Sequence, residues 1–91
     1  MTPTPTLDIA NISDEVRDEV IRATSLFGPH NSPHESLGVI EEEFEEFKQQ
    51  VFKYNLAKGR DTRPEMRKEL IQVAAMAVRA IYDLKLEKEN W

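Results

Sequence analysis

Apolar residues recur every three or four positions through most of this chain, and no stretch alternates apolar with polar residues over a useful length. The first segment of this kind follows Ser13, which can cap a helix, and it stops at Gly28 and Pro29. Its apolar positions are Val16, Val20, Ala23 and Phe27. This spacing predicts a first amphipathic helix between Ser13 and Gly28.

A second helix has a clearer start signal, because "SPHE" places Ser32 at the N-cap, Pro33 at the first helical position and Glu35 where a capping box needs it. The apolar stripe that follows fades near Leu56, and Gly59 turns the chain. The stripe consists of Leu37, Ile40, Phe44, Phe47 and Val51. We expect this stripe to face the core.

A third helix begins at another expected capping box, Thr62 with Glu65, and extends to about Glu87. Between Leu70 and Val78 it is apolar on nearly every side, which is typical of a buried helix. The fold class is therefore expected to be all-α, with three main helices in an antiparallel bundle.

One domain is expected over residues 13–91. A chain of 91 residues buries only about 60 to 65% of its unfolded surface, so dimerisation is expected to complete the bundle. The opening segment "MTPTPTL" alternates threonine with proline, which denies the backbone regular hydrogen bonds. Residues 1–12 are therefore expected to form a poorly ordered tail.

The composition narrows the function classes. A net charge of −5 argues against nucleic acid or an anionic membrane as partner, because both need an electropositive face. The chain has no cysteine, which excludes disulfides and thiolate zinc sites. No apolar run approaches the roughly 20 residues of a membrane span, and no basic-then-apolar leader opens the chain. A cytoplasmic protein is expected.

Five glutamates occupy the six positions from Glu41 to Glu46, although like charges at i,i+4 spacing destabilise a helix by a few tenths of a kcal/mol per pair. At about 100° per residue, Glu42 lies opposite the apolar stripe and is expected to be solvated. Two edges of the stripe remain open as candidates for an inward-facing acidic pair. They are Glu43 with Glu46, and Glu41 with Glu45.

The third helix carries one polar stripe on its otherwise apolar surface. Glu69, Gln72, Arg79 and Asp83 form this stripe, with Met76 in its middle. A carboxylate buried without a partner costs several kcal/mol, so Glu69 needs a cation, a hydrogen-bond network or water. Glu46 and Gln72 are each about ten residues from the turn, so antiparallel helices would bring them to the same height.

Two motifs carry a family resemblance. "EEFEEF", from Glu42 to Phe47, and "ELIQ", from Glu69 to Gln72, resemble the signature of the MazG-like, all-α nucleoside triphosphate pyrophosphohydrolase superfamily. That signature is E-E-x-x-E followed by an apolar residue, then E-x-x-D on a later helix. The resemblance covers roughly residues 32–84 and looks like a small MazG-like subgroup. Gln72 departs from it, because the family has aspartate there.

The resemblance implies a hydrolase that uses Mg²⁺, or Mn²⁺, to split a nucleoside triphosphate into the monophosphate and pyrophosphate. It implies a housekeeping role in the nucleotide pool and an assembly of two or four copies. It places the catalytic, metal-ligating carboxylates at Glu43, Glu46 and Glu69, with Gln72 as a fourth ligand. An uncharged Gln72 weakens the pull on a cation, so the alternative is a catalytically impaired MazG-like module that binds nucleotides or proteins.

Several polar residues outside the motifs are also candidates for function. Arg79 and Lys53 are candidate substrate-binding residues for the phosphates. Arg79 can instead pair with Asp83 at i,i+4 spacing. His30 and His34 flank a helix start and are interpreted as surface residues. Four aromatic residues and one methionine are interpreted as core or dimer interface, and they are Phe44, Phe47, Tyr54, Tyr82 and Met76.

Overall fold

A computed structural model describes residues 7–89, and within that range the protein is all-helical with no β-strand. Helix α1 spans Ile9–Leu26, α2 spans Pro33–Lys53 and α3 spans Arg63–Asp83. A single 3₁₀ turn, Leu56–Lys58, lies between α2 and α3. Helix α3 packs against both α1 and α2, so the three helices form a small bundle around it. No helix in the described range is long and apolar enough to cross a membrane.

Helix α1 begins five residues earlier than the sequence pattern predicts. Asp8 is its N-cap, and the Asp8 side chain accepts a 2.7 Å hydrogen bond from the backbone N–H of Ala10. The prediction that Ser13 caps this helix is therefore wrong. Residues 9–12 of the predicted tail belong to α1, and residues 1–6 lie outside the described range. A second capping residue within reach of the same apolar pattern explains the misplaced boundary.

The predicted start of α2 is confirmed. The Ser32 hydroxyl accepts a 3.1 Å hydrogen bond from the backbone N–H of Glu35, and Pro33 opens the helix. The Glu35 carboxylate accepts from the backbone N–H of Asn31 at 3.4 Å, one residue before the cap. The start of α2 thus has both side-chain partners of a capping box, displaced by one position on the glutamate side.

The predicted capping box at the start of α3 is wrong. Thr62 is the N-cap, but its hydroxyl donates to the backbone carbonyl of Gln50 at 2.6 Å and makes no bond to its own helix. The Gln50 carbonyl also accepts from the backbone N–H of Tyr54 at 3.1 Å, so the Thr62 hydroxyl is a second donor that ties the start of α3 to the end of α2. Helix α3 also ends at Asp83, four residues before the predicted Glu87, where Lys85 adopts a positive φ of 55°.

A short backbone pairing closes the connection between α2 and α3. Asn55 and Arg60 exchange two hydrogen bonds, from Asn55 N–H to Arg60 carbonyl at 2.8 Å and from Arg60 N–H to Asn55 carbonyl at 2.9 Å. Gly59 lies inside this loop with a φ of 72°, a left-handed conformation that glycine adopts without strain. The connection is therefore a defined turn with its own hydrogen bonds.

The core of the bundle is small. Its buried apolar residues are Ala23, Ala75, Met76 and Ala80, with Val16, Val20, Val39 and Ile40 packed beside them. Leu70 and Val78 of α3 are about half exposed, so the prediction that this helix is buried on nearly every side is wrong for a single chain. The buried residues of α3 are two alanines, Met76 and Arg79, and several of its large apolar side chains remain outside.

Only part of the apolar stripe of α2 faces the core as expected, since Ile40 packs beside the core and Phe47 is half-buried. Leu37, Phe44 and Val51 are exposed, and Phe44 keeps 54% of its surface accessible. The side of α2 that meets the bundle is rotated away from this stripe. Its buried or half-buried positions are Ser36, Val39, Ile40, Glu43, Glu46, Phe47 and Gln50. Helix α2 therefore turns two glutamates inward and part of its apolar surface outward.

The two alternative caps of α1 give a direct test of where this helix begins. Replacing Asp8 by alanine is expected to lower the free energy of unfolding by about 1 kcal/mol, because the N-cap hydrogen bond is lost. Ser13→Ala is the matched control, and it should change stability by less than about 0.5 kcal/mol because Ser13 is exposed inside the helix. Urea denaturation measures both values. A larger loss for Ser13→Ala would place the helix start at Ser13.

Candidate metal centre

The structure decides between the two candidate acidic edges of α2. Glu43 and Glu46 are half-buried on the side that meets the bundle, while Glu41 and Glu45 are exposed. Glu42 is exposed, as predicted from its position opposite the apolar stripe. Residues three apart on a helix are neighbours on its surface, so Glu43 and Glu46 present their carboxylates to the same region.

Helix α3 supplies a third carboxylate to that region. Glu69 is half-buried, and one carboxylate oxygen each from Glu43, Glu46 and Glu69 lie within 4.8 Å of one another. The predicted grouping of these three glutamates is therefore present in the structure. All the donor atoms are carboxylate oxygens, and oxygen is the ligand type that hard divalent cations prefer. The arrangement can hold such a cation.

Burial and short mutual distances raise the pKa of two of these carboxyl groups. Partial burial raises the pKa of Glu43 from its ordinary value of 4.5 to about 7, and the charge and hydrogen bonding of Glu46 add to the effect. Burial also raises the pKa of Glu69, again with a contribution from hydrogen bonding to Glu46. Carboxyl groups at such distances share protons, since all three cannot be ionised together without a compensating charge.

Gln72 joins the two helices at this cluster. With its amide nitrogen facing the carboxylates, which can only accept when ionised, Gln72 donates to Glu43 Oε2 at 2.8 Å and to Glu69 Oε2 at 3.2 Å. Gln72 therefore lies at the position predicted for it beside the three glutamates. In this orientation it acts as a hydrogen-bond donor that bridges two of them.

A cavity of about 500 Å³ opens next to the cluster and shares Glu43 and Gln72 with it. Its apolar walls come from α1, the α1–α2 loop, α2 and α3, and include Phe27, Val39 and Met76. Ligand cavities in proteins commonly measure about 300 to 1,000 Å³. The cavity is thus large enough for an organic group, and the acidic cluster lies at one side of it.

Two buried residues of this cavity contradict the sequence interpretation. His30 was expected on the surface, but it is only 4% exposed, and its Nδ1 lies 2.7 Å from the Ser36 hydroxyl. Arg79 is also 4% exposed and does not pair with Asp83. Arg79 donates instead to the Gly28 carbonyl at 2.7 Å, and Asp83 accepts from the His30 backbone N–H at 2.8 Å. The side chains of Arg79 and Asp83 thus hold the α1–α2 loop against α3.

Basic side chains other than Arg79 do not lie where phosphate binding by Lys53 was expected. Lys53 is exposed in the last turn of α2 and lines neither of the cavities beside the cluster. A second groove, between α1 and α3, contains Arg67 and Lys68. It shares Glu19, Arg22 and Gln72 with the first cavity. Arg67 forms an ion pair with Glu15 of α1. Sequence spacing gave no signal for these residues, because their partners are about 50 positions away in the chain.

The raised pKa of Glu43 predicts how stability depends on pH in metal-free protein. A carboxyl whose pKa is higher in the folded state favours folding while it is protonated, so stability is lost as the pH rises from about 4.5 to about 7. We expect a loss of about 1 to 2 kcal/mol, less than the full shift implies, because the group is partly exposed to solvent.

Glu43→Gln should remove the part of this pH dependence that comes from Glu43, since the amide stays neutral at every pH, and leave the part that comes from the raised pKa of Glu69. Glu45→Gln is the matched control, because Glu45 is exposed on the same helix and is not among the charges that raise the pKa of Glu43. Urea denaturation in chelator between pH 4.5 and pH 8 measures both profiles. If wild type and Glu43→Gln lose stability in parallel over this range, Glu43 is not the group responsible.

The chain matches no known family model, no curated protein and no solved structure. The likeness to MazG-like proteins therefore rests on the two short motifs alone. The function of the protein has to be inferred from the site itself. There, two helices bring three carboxylates and one amide together beside a cavity.

Proposed function

We propose that this protein is a MazG-like, Mg²⁺-dependent nucleoside triphosphate pyrophosphohydrolase that converts nucleoside triphosphates to monophosphates and pyrophosphate in the upkeep of the nucleotide pool. One observation carries the proposal: oxygens of Glu43, Glu46 and Glu69 converge within 4.8 Å from two different helices. The spacing of these residues is that of the two motifs, E-x-x-E on α2 and E-x-x-Q on α3.

The donor set fits Mg²⁺, and Mn²⁺ as a second choice. Three carboxylates supply oxygen ligands and negative charge, while their exposure on one side leaves room for water and phosphate. A bound cation would neutralise phosphate charge and lower the pKa of an attacking water. Glu43, with a pKa near 7, must give up its proton before it can act as a ligand, so metal binding should strengthen as the pH rises.

Contacts between α2 and α3 support an antiparallel arrangement of these two helices. Thr62 bonds to Gln50, Glu69 lies beside Glu46, and Gln72 bonds to Glu43. Residues that come later in α3 thus contact residues that come earlier in α2. This register places the two motifs at equal heights.

The cavity beside the cluster is the proposed place of the nucleoside, and cations around it are proposed to meet the phosphates. Arg79 borders the cavity, whereas Lys53 would need a triphosphate that extends toward the end of α2. Lys68 is exposed in the neighbouring groove and contributes a positive charge near Glu69. The triphosphate tail therefore has a route along the α1–α3 groove as well.

We also propose that the protein assembles into homodimers or tetramers. The buried apolar core of one chain contains three alanines and one methionine, while Leu37, Phe44 and Val51 remain exposed along one stripe of α2. Leu70 and Ile81 form a second exposed stripe on α3. Apolar stripes of this length on a small domain favour burial against another copy, because the single core gives limited stability.

A specific observation favours the alternative function, a MazG-like module that binds nucleotides or proteins without turnover. Gln72 occupies the position of the family's fourth acid, and its amide donates to Glu43 and Glu69. These two hydrogen bonds stabilise the cluster without a cation. Metal binding has to compete with them, and the missing charge lowers the attraction for the ion.

The proposed activity is tested by pyrophosphate release from a panel of canonical and modified nucleoside triphosphates with Mg²⁺. We expect turnover of at least one substrate and a loss of about 100-fold or more in Glu43→Gln, because removal of even an outer-shell partner of a metal costs roughly 10- to 100-fold. Glu45→Gln should retain wild-type activity, because Glu45 is exposed on the same helix and lines neither cavity. No pyrophosphate from any substrate, with the helical circular dichroism signal intact, would count against the proposed reaction.

Gln72→Asp separates the two proposed functions. If the protein is a binding module, calorimetry should show Mg²⁺ and nucleotide binding without turnover in wild type, and the new carboxylate should strengthen metal binding or produce turnover. Equal affinity for Mg²⁺ in wild type and Gln72→Asp would mean that position 72 does not contact the ion.

Self-association is tested by sedimentation equilibrium. Wild type is expected to sediment as two or more copies, and Phe44→Lys should shift it toward one copy because a charge on the exposed stripe opposes burial. Glu45→Lys places the same side chain on an exposed neighbouring position and should leave the assembly unchanged. A monomeric wild type at concentrations of tens of micromolar would overturn the proposed assembly.

A further inference from the structure

Helix α3 carries a row of apolar residues on the side that no other helix covers. In the described part of the chain, α1 and α2 both pack on α3 but not on each other, and the cavity lies between them. At about 100° per residue, the row lies between about 140° and 180° from Gln72, which borders the cavity. Its members are Leu70, Ala74, Ala77 and Ile81. None of them is buried, and the two large ones are about half exposed.

The exposed stripe of α2 lies on the same side of the bundle as this row. The stripe contains Phe44 and is rotated by about 80° to 120° from Glu43 in one direction. Val39 and Glu42, which border the cavity, are rotated from Glu43 in the other direction. We call the row and the stripe together the back face, and its residues are Leu37, Phe44, Val51, Leu70, Ala74, Ala77 and Ile81. The back face thus points away from the cavity.

The accessible surface of the chain shows how much of it lacks a cover. The chain exposes 7202 Å², whereas a compact monomer of 10.5 kDa exposes about 5,400 Å². Eight residues lie outside the described range, and the most that they can expose is about 1,300 Å². With that amount set aside, the described residues still expose about 800 Å² more than a compact monomer of their size. A standard protein interface takes about 800 Å² from each partner, so the excess matches one such interface.

The layering and the charge of the chain indicate which partner covers the back face. Stable domains are built from at least two packed layers, but α1 and α2 lie beside α3 and leave its back without a second layer. The same face of another copy supplies that layer. Each chain carries a net charge of −5, which opposes association in general. None of the residues of the back face is charged, so two copies can meet there without bringing like charges together.

We propose that the back face packs against the back face of a second copy, with α3 against α3, so that the two acidic clusters lie on opposite outer sides of the dimer. The inference rests on the self-association proposed above, and it does not depend on the hydrolase activity. In a two-fold dimer the same patch meets itself, and the middle of the patch lies nearest the axis. Ala74 and Ala77 are the middle of the α3 row, and their small side chains let the two helices approach closely.

Charge substitutions test the face by sedimentation equilibrium of the full chain. Ile81→Lys should raise the dissociation constant of the dimer about 100-fold or more, because the partner would bury an unpaired charge. Leu70→Lys, at the other end of the row, should do the same. Phe52→Lys is the matched control, because Phe52 is more exposed than Ile81 but lies on the outward side of α2, about 180° from Glu43. It should leave the dissociation constant unchanged.

Single cysteines test the contact between the two α3 helices directly. The chain has no cysteine, so each introduced thiol can pair only with its copy in the partner. Ala74→Cys and Ala77→Cys add no charge, and helices packed through small residues bring facing Cα atoms to about 4.4 to 6.8 Å, within reach of a disulfide. Oxidation should link at least one of these variants into a covalent dimer on a non-reducing gel. Glu45→Cys, exposed on α2, should give at least tenfold less.

The outcomes separate this inference from the proposed reaction. A dimeric wild type that keeps its affinity in both lysine variants of α3, with no disulfide at position 74 or 77, overturns the inference and leaves the reaction standing. A monomeric wild type also overturns it and leaves the back face to a different protein. Folded, monomeric Ile81→Lys should release pyrophosphate at the wild-type rate per chain, and its inactivity would overturn the placement of the sites away from the partner. Disulfide-linked dimers without pyrophosphate release from any triphosphate would support the inference and reject the reaction.

Discussion

The proximity of like charges at the interface of α2 and α3 is the constraint on which the rest of the structure depends. Glu43, Glu46 and Glu69 bring their oxygens within 4.8 Å, in a partly buried position where repulsion is stronger than in water. To place them there, α2 turns its acidic side toward the bundle, and Phe44 and Val51 are left outside. A fold optimised only for burial would turn α2 the other way. Within one chain, this orientation of α2 gives up apolar burial in favour of the acidic interface.

Local patterns in the sequence predicted much of the fold, and the reasons are visible in particular residues. The helical class follows from the spacing of apolar residues, and the start of α2 follows from Ser32, whose hydroxyl bonds to the backbone only three positions away. The three glutamates of the cluster follow from i,i+3 spacing on two helices and from the motif resemblance. Each of these inferences depends on interactions within one helix or on a simple register between two.

Contacts between distant segments explain what the sequence did not predict. His30 lies next to a proline-containing helix start, which suggests a surface position, yet its backbone bonds to Asp83, 53 positions away. Arg79 has an acid at i+4 but bonds to Gly28, 51 positions away. The hydroxyl of Thr62 likewise leaves its own helix for Gln50. Such bonds depend on where the loops pass, and local spacing does not encode that.

The turn between α2 and α3 has a consequence for how the chain can vary. Asn55 and Arg60 close it with two backbone hydrogen bonds, and Gly59 supplies its left-handed residue, so its length is defined. One extra residue at the start of α3 would rotate Glu69 by about 100° and shift it by about 1.5 Å relative to its own helix axis. Surface loops usually accept insertions easily, but this one acts as a spacer for the carboxylates. Natural variants of this chain should therefore differ in length at the α1–α2 loop or the termini before they differ here.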